Sequence, residues 1–132
     1  MNTEILHRLA VDAMKNAYAP YSTYKVGASI KSSNHKFYAG CNVENAAYPQ
    51  GLCAEAGAIA SMITGGCRII SDVLIVSEGQ ELVVPCGGCR QKLLEFSNQE
   101  TTILLASYSK IEKKLSIEDL LPLSFDKTFL NH

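Results

Sequence analysis

At 132 residues, with 47% hydrophobic and 19% charged content, the chain is of a size and make-up that buries a core without disulfide staples. Its 12 basic and 13 acidic residues leave a formal charge of −1, which lacks the basic footprint of a nucleic-acid binder and suits a small, neutral ligand. No apolar run approaches the roughly 18 residues of a membrane span, and the opening MNTEILHRLAVDAMKNAYAPY scatters acids and bases where a signal peptide has an apolar stretch. A single cytoplasmic domain, residues 1–132, is expected, with no membrane and no nucleic acid among its partners. In a reducing compartment its five cysteines serve as metal ligands, catalytic thiols or small core residues rather than disulfides.

Thr3 can cap a first helix whose apolar positions Ile5, Leu6, Leu9, Ala13, Met14 and Ala17 share one face, with Pro20 marking its end. Residues 26–31 (VGASIK) and 36–43 (KFYAGCNV) read as a hairpin around Ser32-Ser33-Asn34-His35. Asn45 to Gly51, containing Pro49, is a loop. From Cys53 to Thr64 the Ala-, Ile- and Met-rich chain predicts a helix stopped by Gly65-Gly66. Asp72 to Ser77 (DVLIVS) is a continuous apolar run suited to a strand buried on both faces. After a loop from Gly79 to Pro85, a short helix is predicted from near Gly87 to about Ser97, then a buried strand at Thr101–Ser107. An edge strand at Lys113–Leu115 and a helical turn at Ile117–Leu121 complete the order α-β-β-α-β-α-β-(β)-α. That is an α/β layered domain, with helices covering a central sheet.

Three cysteines fall into one pattern, Cys53-Ala54-Glu55 and then Pro85-Cys86-Gly87-Gly88-Cys89. The CxxC pair places two thiolates close in space, half of a zinc site, and Cys53 and Cys86 both stand at predicted helix starts, where unpaired N–H groups favour thiolates. Three ligands leave a fourth tetrahedral position open, which separates a catalytic zinc from a structural one. Glu55, in the first turn of its helix, points away from Cys53. It is poorly placed to ligate but can take a proton from a water that the metal activates. A lone CxxC is more often structural zinc or redox chemistry, and Cys41 and Cys67 read as small core residues. The combination, with a Glu two residues after the first Cys and Pro before the CxxC, is the pattern of zinc-dependent deaminases, in its three-cysteine form.

The chain resembles the cytidine deaminases of the small, homotetrameric, three-cysteine class. The likeness covers nearly the whole sequence: Tyr21-Ser22, Val26-Gly27-Ala28, Gly40 to Ala46 (GCNVENA), Tyr48-Pro49, Cys53-Ala54-Glu55, Pro85 to Gln91 (PCGGCRQ), then Leu120-Leu121-Pro122 and Phe125. The resemblance implies a three-layer α/β/α sandwich around a mixed five-stranded sheet. It also implies one zinc ion per chain on Cys53, Cys86 and Cys89, and hydrolysis of cytidine or deoxycytidine in pyrimidine salvage. Glu55 matches the proton shuttle, Asn42 and Glu44 the holders of the ribose hydroxyls, and the backbone of Ala54 the contact to the base edge. Tyr24 stands where the family usually has a phenylalanine beside the nucleoside. Tyr48 matches a subunit contact near the site, and Phe125 the aromatic that reaches into a neighbouring subunit's site, so a homotetramer with shared active sites is implied. Taken without the resemblance, Asn42-Val43-Glu44-Asn45 is equally ordinary turn chemistry.

Two departures stand out. Lys25 replaces the family's usual proline. Ala56 and Gly57 follow the glutamate where an arginine and commonly a threonine are usual, which removes a cation from beside three thiolates; Arg90 is a candidate to replace it. The rival readings are a deaminase for a modified nucleoside, a structural zinc protein, and a relative that only binds nucleosides. His7, His35 and His132 have no metal-ligand spacing and read as exposed surface.

Overall fold

The computed structural model describes residues 2–79 and 81–130. In chain order they form α1 (Asn2–Lys15), β1 (Val26–Ser32), β2 (Phe37–Cys41), α2 (Ala54–Thr64), β3 (Ile70–Ser77), α3 (Gly87–Glu95), β4 (Thr102–Ala106), β5 (Ile111–Ser116) and α4 (Ile117–Leu120), with 3-10 turns at Tyr48–Gln50 and Lys127–Leu130. One sheet runs β2-β1-β3-β4-β5. Its neighbours are antiparallel except β3 and β4, which are joined by the α3 crossover that a parallel pair requires. This mixed five-stranded α/β/α sandwich is the architecture that the resemblance implies, and a layered α/β domain is what the element order alone predicts.

Alternation along the strands decides which layer each side chain meets. Val73 and Ile75 of β3 join Ala28, Ile30, Ile103 and Leu105 under Ala54, Ala58 and Met62 of α2 and Leu93 of α3. Leu74 and Val76 point the other way, with Leu104 and Ala106, onto Leu6, Ala10, Val11 and Met14 of α1. The apolar run therefore lacks a polar phase because both its faces are covered. Full burial of such a side chain contributes about 1.5–3 kcal/mol.

Two glycines set the spacing of these layers. A Cβ on Gly27 of β1 would come within 2.0 Å of the Ala10 carbonyl oxygen of α1. One on Gly40 of β2 would lie 2.4 Å from the Ala58 amide and 2.7 Å from the Ala54 carbonyl. Glycine at position 40 thus lets the edge strand lie against the first turns of α2, the helix that carries Glu55.

The boundaries differ from expectation where distant partners intervene. The first helix starts at Asn2, so Thr3 lies inside it rather than capping it, and it ends at Lys15, well before Pro20. The cause is Tyr18, which leaves the helical path to bridge residues 42–44: its amide donates to the Asn42 carbonyl (3.0 Å) and its carbonyl accepts from the Glu44 amide (2.8 Å). The second strand stops at Cys41 for the same reason. β3 begins two residues early because Ile70 pairs with Ser32 across a bulge, and the edge strand β5 is longer than Lys113–Leu115 because it pairs along the whole of β4. His7 is half-buried, its Nε2 2.9 Å from the Ser107 carbonyl oxygen, rather than free surface. His35 is exposed in the hairpin turn with φ of 66°, and His132 lies outside the described residues. Cys67 is buried, whereas Cys41 is only half-buried.

Candidate active site

Two helix starts meet at one edge of the α2–α3 layer. Cys53 is the N-cap of α2 and Cys86 the N-cap of α3, neither making a side-chain cap hydrogen bond. Cys89 sits one turn further into α3 and is 1% exposed. The three sulfurs lie within 4.8 Å of one another. Sulfurs on a tetrahedral zinc with bonds of about 2.3 Å stand about 3.8 Å apart, so the observed spacing fits that ion after small side-chain rotations. Glu55 occupies the first turn of α2 and is 5% exposed.

The electrostatics of this group favour a divalent cation. Burial pushes the Cys53 and Cys89 thiols up from the ordinary thiol range, and the Glu55 charge raises both further. The Cys89 amide holds the Cys86 thiol down. Burial also raises the Glu55 carboxyl, against the smaller opposing pulls of its own amide, the Cys89 thiol and the Lys92 ammonium. The charges that bear on the three thiols come from one another and from Glu55. Three thiols and a carboxyl, with the Lys92 ammonium acting on the carboxyl alone, form a donor set that a soft divalent ion neutralises, and binding it must displace thiol protons. Arg90 does not replace the missing arginine. Its Nε donates to the Pro85 carbonyl and its Nη1 to the Leu120 carbonyl, both at 2.8 Å, so it braces the turn before Cys86.

Beside the sulfurs, residues 42–44 are held on two sides. Val43 and Leu52 exchange both backbone hydrogen bonds at 2.8 Å, directly before Cys53, and Tyr18 bonds the other side. Asn42 Oδ1 accepts from the Val26 amide and its Nδ2 donates to the Tyr24 carbonyl, each at 2.9 Å. Glu44 accepts from the amides of Tyr21 (3.0 Å) and Ser22 (3.1 Å) and from the Ser22 hydroxyl. That hydroxyl, outweighing slight desolvation, holds its carboxyl below the ordinary range. A cavity of about 380 Å³ opens here, lined by Tyr21, Ser22, Glu44, Asn45, Tyr48 and Gly51. Asn42, Tyr24, the three cysteines and Phe125 are not among its lining residues.

The aromatics are outward. Tyr48 is 77% exposed, 6.2 Å from the Tyr21 ring. Phe125 is 59% exposed and stacks at 5.1 Å on Phe129, while its carbonyl accepts from Gln91 Nε2 at 2.8 Å. Sequence reasoning assigned no role to Ser22, Leu52 or Ser77; the Tyr21-Ser22 pair was visible only as a motif without a partner.

The sequence profile of the cytidine and deoxycytidylate deaminase zinc-binding region matches residues 1–105. A cytidine deaminase of Mycoplasma genitalium is 42% identical over 116 residues, covering 87% of this chain and 88% of its own. One from Sporosarcina psychrophila is 33% identical across 100% of this chain and 97% of its own. The crystal structure of cytidine deaminase from Burkholderia pseudomallei superposes with a TM-score of 0.87 at 36% identity, covering 95% of this chain and 100% of that one.

Proposed function

The chain belongs to the cytidine and deoxycytidylate deaminase family, and from that membership we propose that this site hydrolyses the exocyclic amine of cytidine or deoxycytidine. Water enters, the C4 amino group leaves as ammonia, and uridine or deoxyuridine remains; pyrimidine salvage in the cytoplasm is the setting, with residues 1–132 acting as one domain. The observation that carries the reading is the convergence of three sulfurs from two helix starts beside a buried carboxyl.

Cys53, Cys86 and Cys89 hold zinc, which supplies Lewis-acid activation of water at neutral pH. Glu55 moves the protons: it takes one from the attacking water and places it on N3 of the base, then takes the second from the hydroxyl now on C4 and passes it to the departing amine, leaving the C4 carbonyl. Its raised carboxyl suits that exchange, because a group titrating nearer neutrality both gives and accepts protons readily. The Ala54 backbone meets the base edge at the start of α2. Asn42 and Glu44 hold the sugar hydroxyls, since Asn42 Nδ2 keeps one hydrogen and the Glu44 carboxylate one acceptor position beyond their internal bonds. Tyr24 lies along the nucleoside. Zinc-loaded protein should convert cytidine with the ultraviolet change of its conversion to uridine and leave adenosine and guanine unaltered; stable cytidine under those conditions would overturn the assignment.

We further propose a homotetramer in which Tyr48 contacts a neighbouring subunit and Phe125 stacks on the base in a neighbour's site. The exposure of both rings supports this, because large aromatics at this level of exposure favour burial in an interface. Mixed tetramers made from inactive Glu55→Gln chains and inactive Phe125→Ala chains should regain activity, since some sites then combine both intact residues. A fully active monomer in sedimentation would end the shared-site reading.

A further inference from the structure

Ser77 is a polar residue at the end of an apolar strand, and its side chain is 2% exposed. Its hydroxyl meets the Tyr24 hydroxyl at 2.9 Å, fifty-three positions away in the chain. Tyr24 belongs to the segment that braces both sugar-holding side chains. Its amide donates to Ser22 Oγ at 3.0 Å, and the Ser22 hydroxyl in turn donates to Glu44. Its carbonyl accepts from Asn42 Nδ2 at 2.9 Å. On the far side, a Cβ on Gly79 would come within 3.0 Å of the Tyr24 ring, so glycine there leaves room for it. From Ser77 and Gly79 the chain runs on to Pro85 and Cys86. The phenol thus spans the gap between the Asn42–Glu44 turn and the strand that leads to the metal ligands.

We propose that Ser77 is a positioning residue for nucleoside binding, pinning the Tyr24 ring and the 22–24 segment to the end of β3 so that Asn42 and Glu44 are pre-set for the sugar. This rests on the reading of Asn42, Glu44 and Tyr24 as nucleoside contacts. Tyr24 is exposed and sits on a loop, so without the hydroxyl pair its ring has several rotamers open to it, and nucleoside must select one on binding. The pair acts on binding and not on the chemical step, because neither hydroxyl takes part in moving protons at the base.

The two single variants differ physically. Ser77→Ala leaves a tyrosine hydroxyl that water can satisfy, whereas Tyr24→Phe strands a buried serine hydroxyl. Removing both leaves an apolar pair, which is close to neutral for stability. Wild type, both single variants and the double variant, matched for zinc content, would be compared by cytidine KM and kcat and by calorimetric Kd for uridine. We expect Ser77→Ala to raise KM and Kd about 3- to 10-fold, the range of one net hydrogen bond, with kcat within twofold. Tyr24→Phe should match it, and the double variant should be no worse than the larger single effect, because the two hydroxyls act as a unit. Unchanged KM and Kd in Ser77→Ala, with only a lower melting temperature, would make the pair merely structural and overturn the proposal. So would additive effects in the double variant. If wild type binds uridine but does not turn over cytidine, the deaminase reading fails while the Kd comparison still decides the role of Ser77; if it binds no nucleoside, both fail.

Discussion

Replacing Glu55 by glutamine should lower kcat by at least about 100-fold, the minimum for removing a general acid–base, while one zinc per chain is retained. The argument begins with shape. Glutamine fills the same 5%-exposed space in the first turn of α2, so neither the helix nor the packing on Gly40 is disturbed. It continues with charge. Burial raises the Glu55 carboxyl, and the Glu55 charge in turn raises the Cys53 and Cys89 thiols. A neutral amide therefore makes it easier for the sulfurs to ionise, and zinc affinity should hold or rise. What disappears is the one carboxyl that, among the described residues, acts on the thiol cluster and could carry a proton between water, N3 and the leaving amine without itself ligating metal. Atomic absorption and single-turnover kinetics on the same sample separate the two effects. Turnover within a few-fold of wild type would take the proton-carrying role away from Glu55, whatever its position.

The clustering of Cys53, Cys86 and Cys89 with Glu55 was legible because its signal is local. Cys53-Ala54-Glu55 and Pro85-Cys86-Gly87-Gly88-Cys89 each lie at a helix start, and the apolar run of 72–77 places one strand between them. The element order and the α/β layering were legible for the same reason, from hydrophobic patterning and turn residues along the chain, whereas the mixed five-stranded sheet came from the family resemblance. What the sequence hid was pairing over distance. Ser22 is an ordinary loop serine until it donates to Glu44, twenty-two positions on. Arg90 looked free to face the thiols, yet its donors go to Pro85 and to Leu120, thirty positions away. Tyr18 could not be seen leaving its helix, because the reason lies in Val43 and its neighbours. Side-chain hydrogen bonds of this kind depend on the packing that brings two loops together, and a residue's type reveals only that it is able to make one.

Cys86→Ser should cost zinc and stability together, and the position of Cys86 allows the two to be separated. As the N-cap of α3 the cysteine contributes no side-chain cap bond. Serine is among the better N-cap residues, so the metal-free variant should melt no lower than metal-free wild type, and capping alone favours the variant. With zinc present the order should reverse. A hydroxyl is a far poorer ligand than a thiolate, and loss of one of three protein ligands should weaken binding by more than the roughly 10- to 100-fold that follows from loss of an outer-shell partner alone. A ligand at 100 times its Kd stabilises the folded state by about 2.7 kcal/mol, so the zinc-dependent rise in melting temperature is a direct readout of the missing affinity. The pH dependence supplies a second check. Cys86 is the thiol whose ionisation its surroundings favour, while Cys53 and Cys89 are raised. The variant draws its thiolates from the two reluctant sulfurs alone, so it displaces no more thiol protons than wild type, and its weaker zinc affinity should fall no more steeply than wild type's as pH drops from 8 to 6. Full zinc occupancy in the variant, with an unchanged zinc-dependent melting shift, would remove Cys86 from the ligand set.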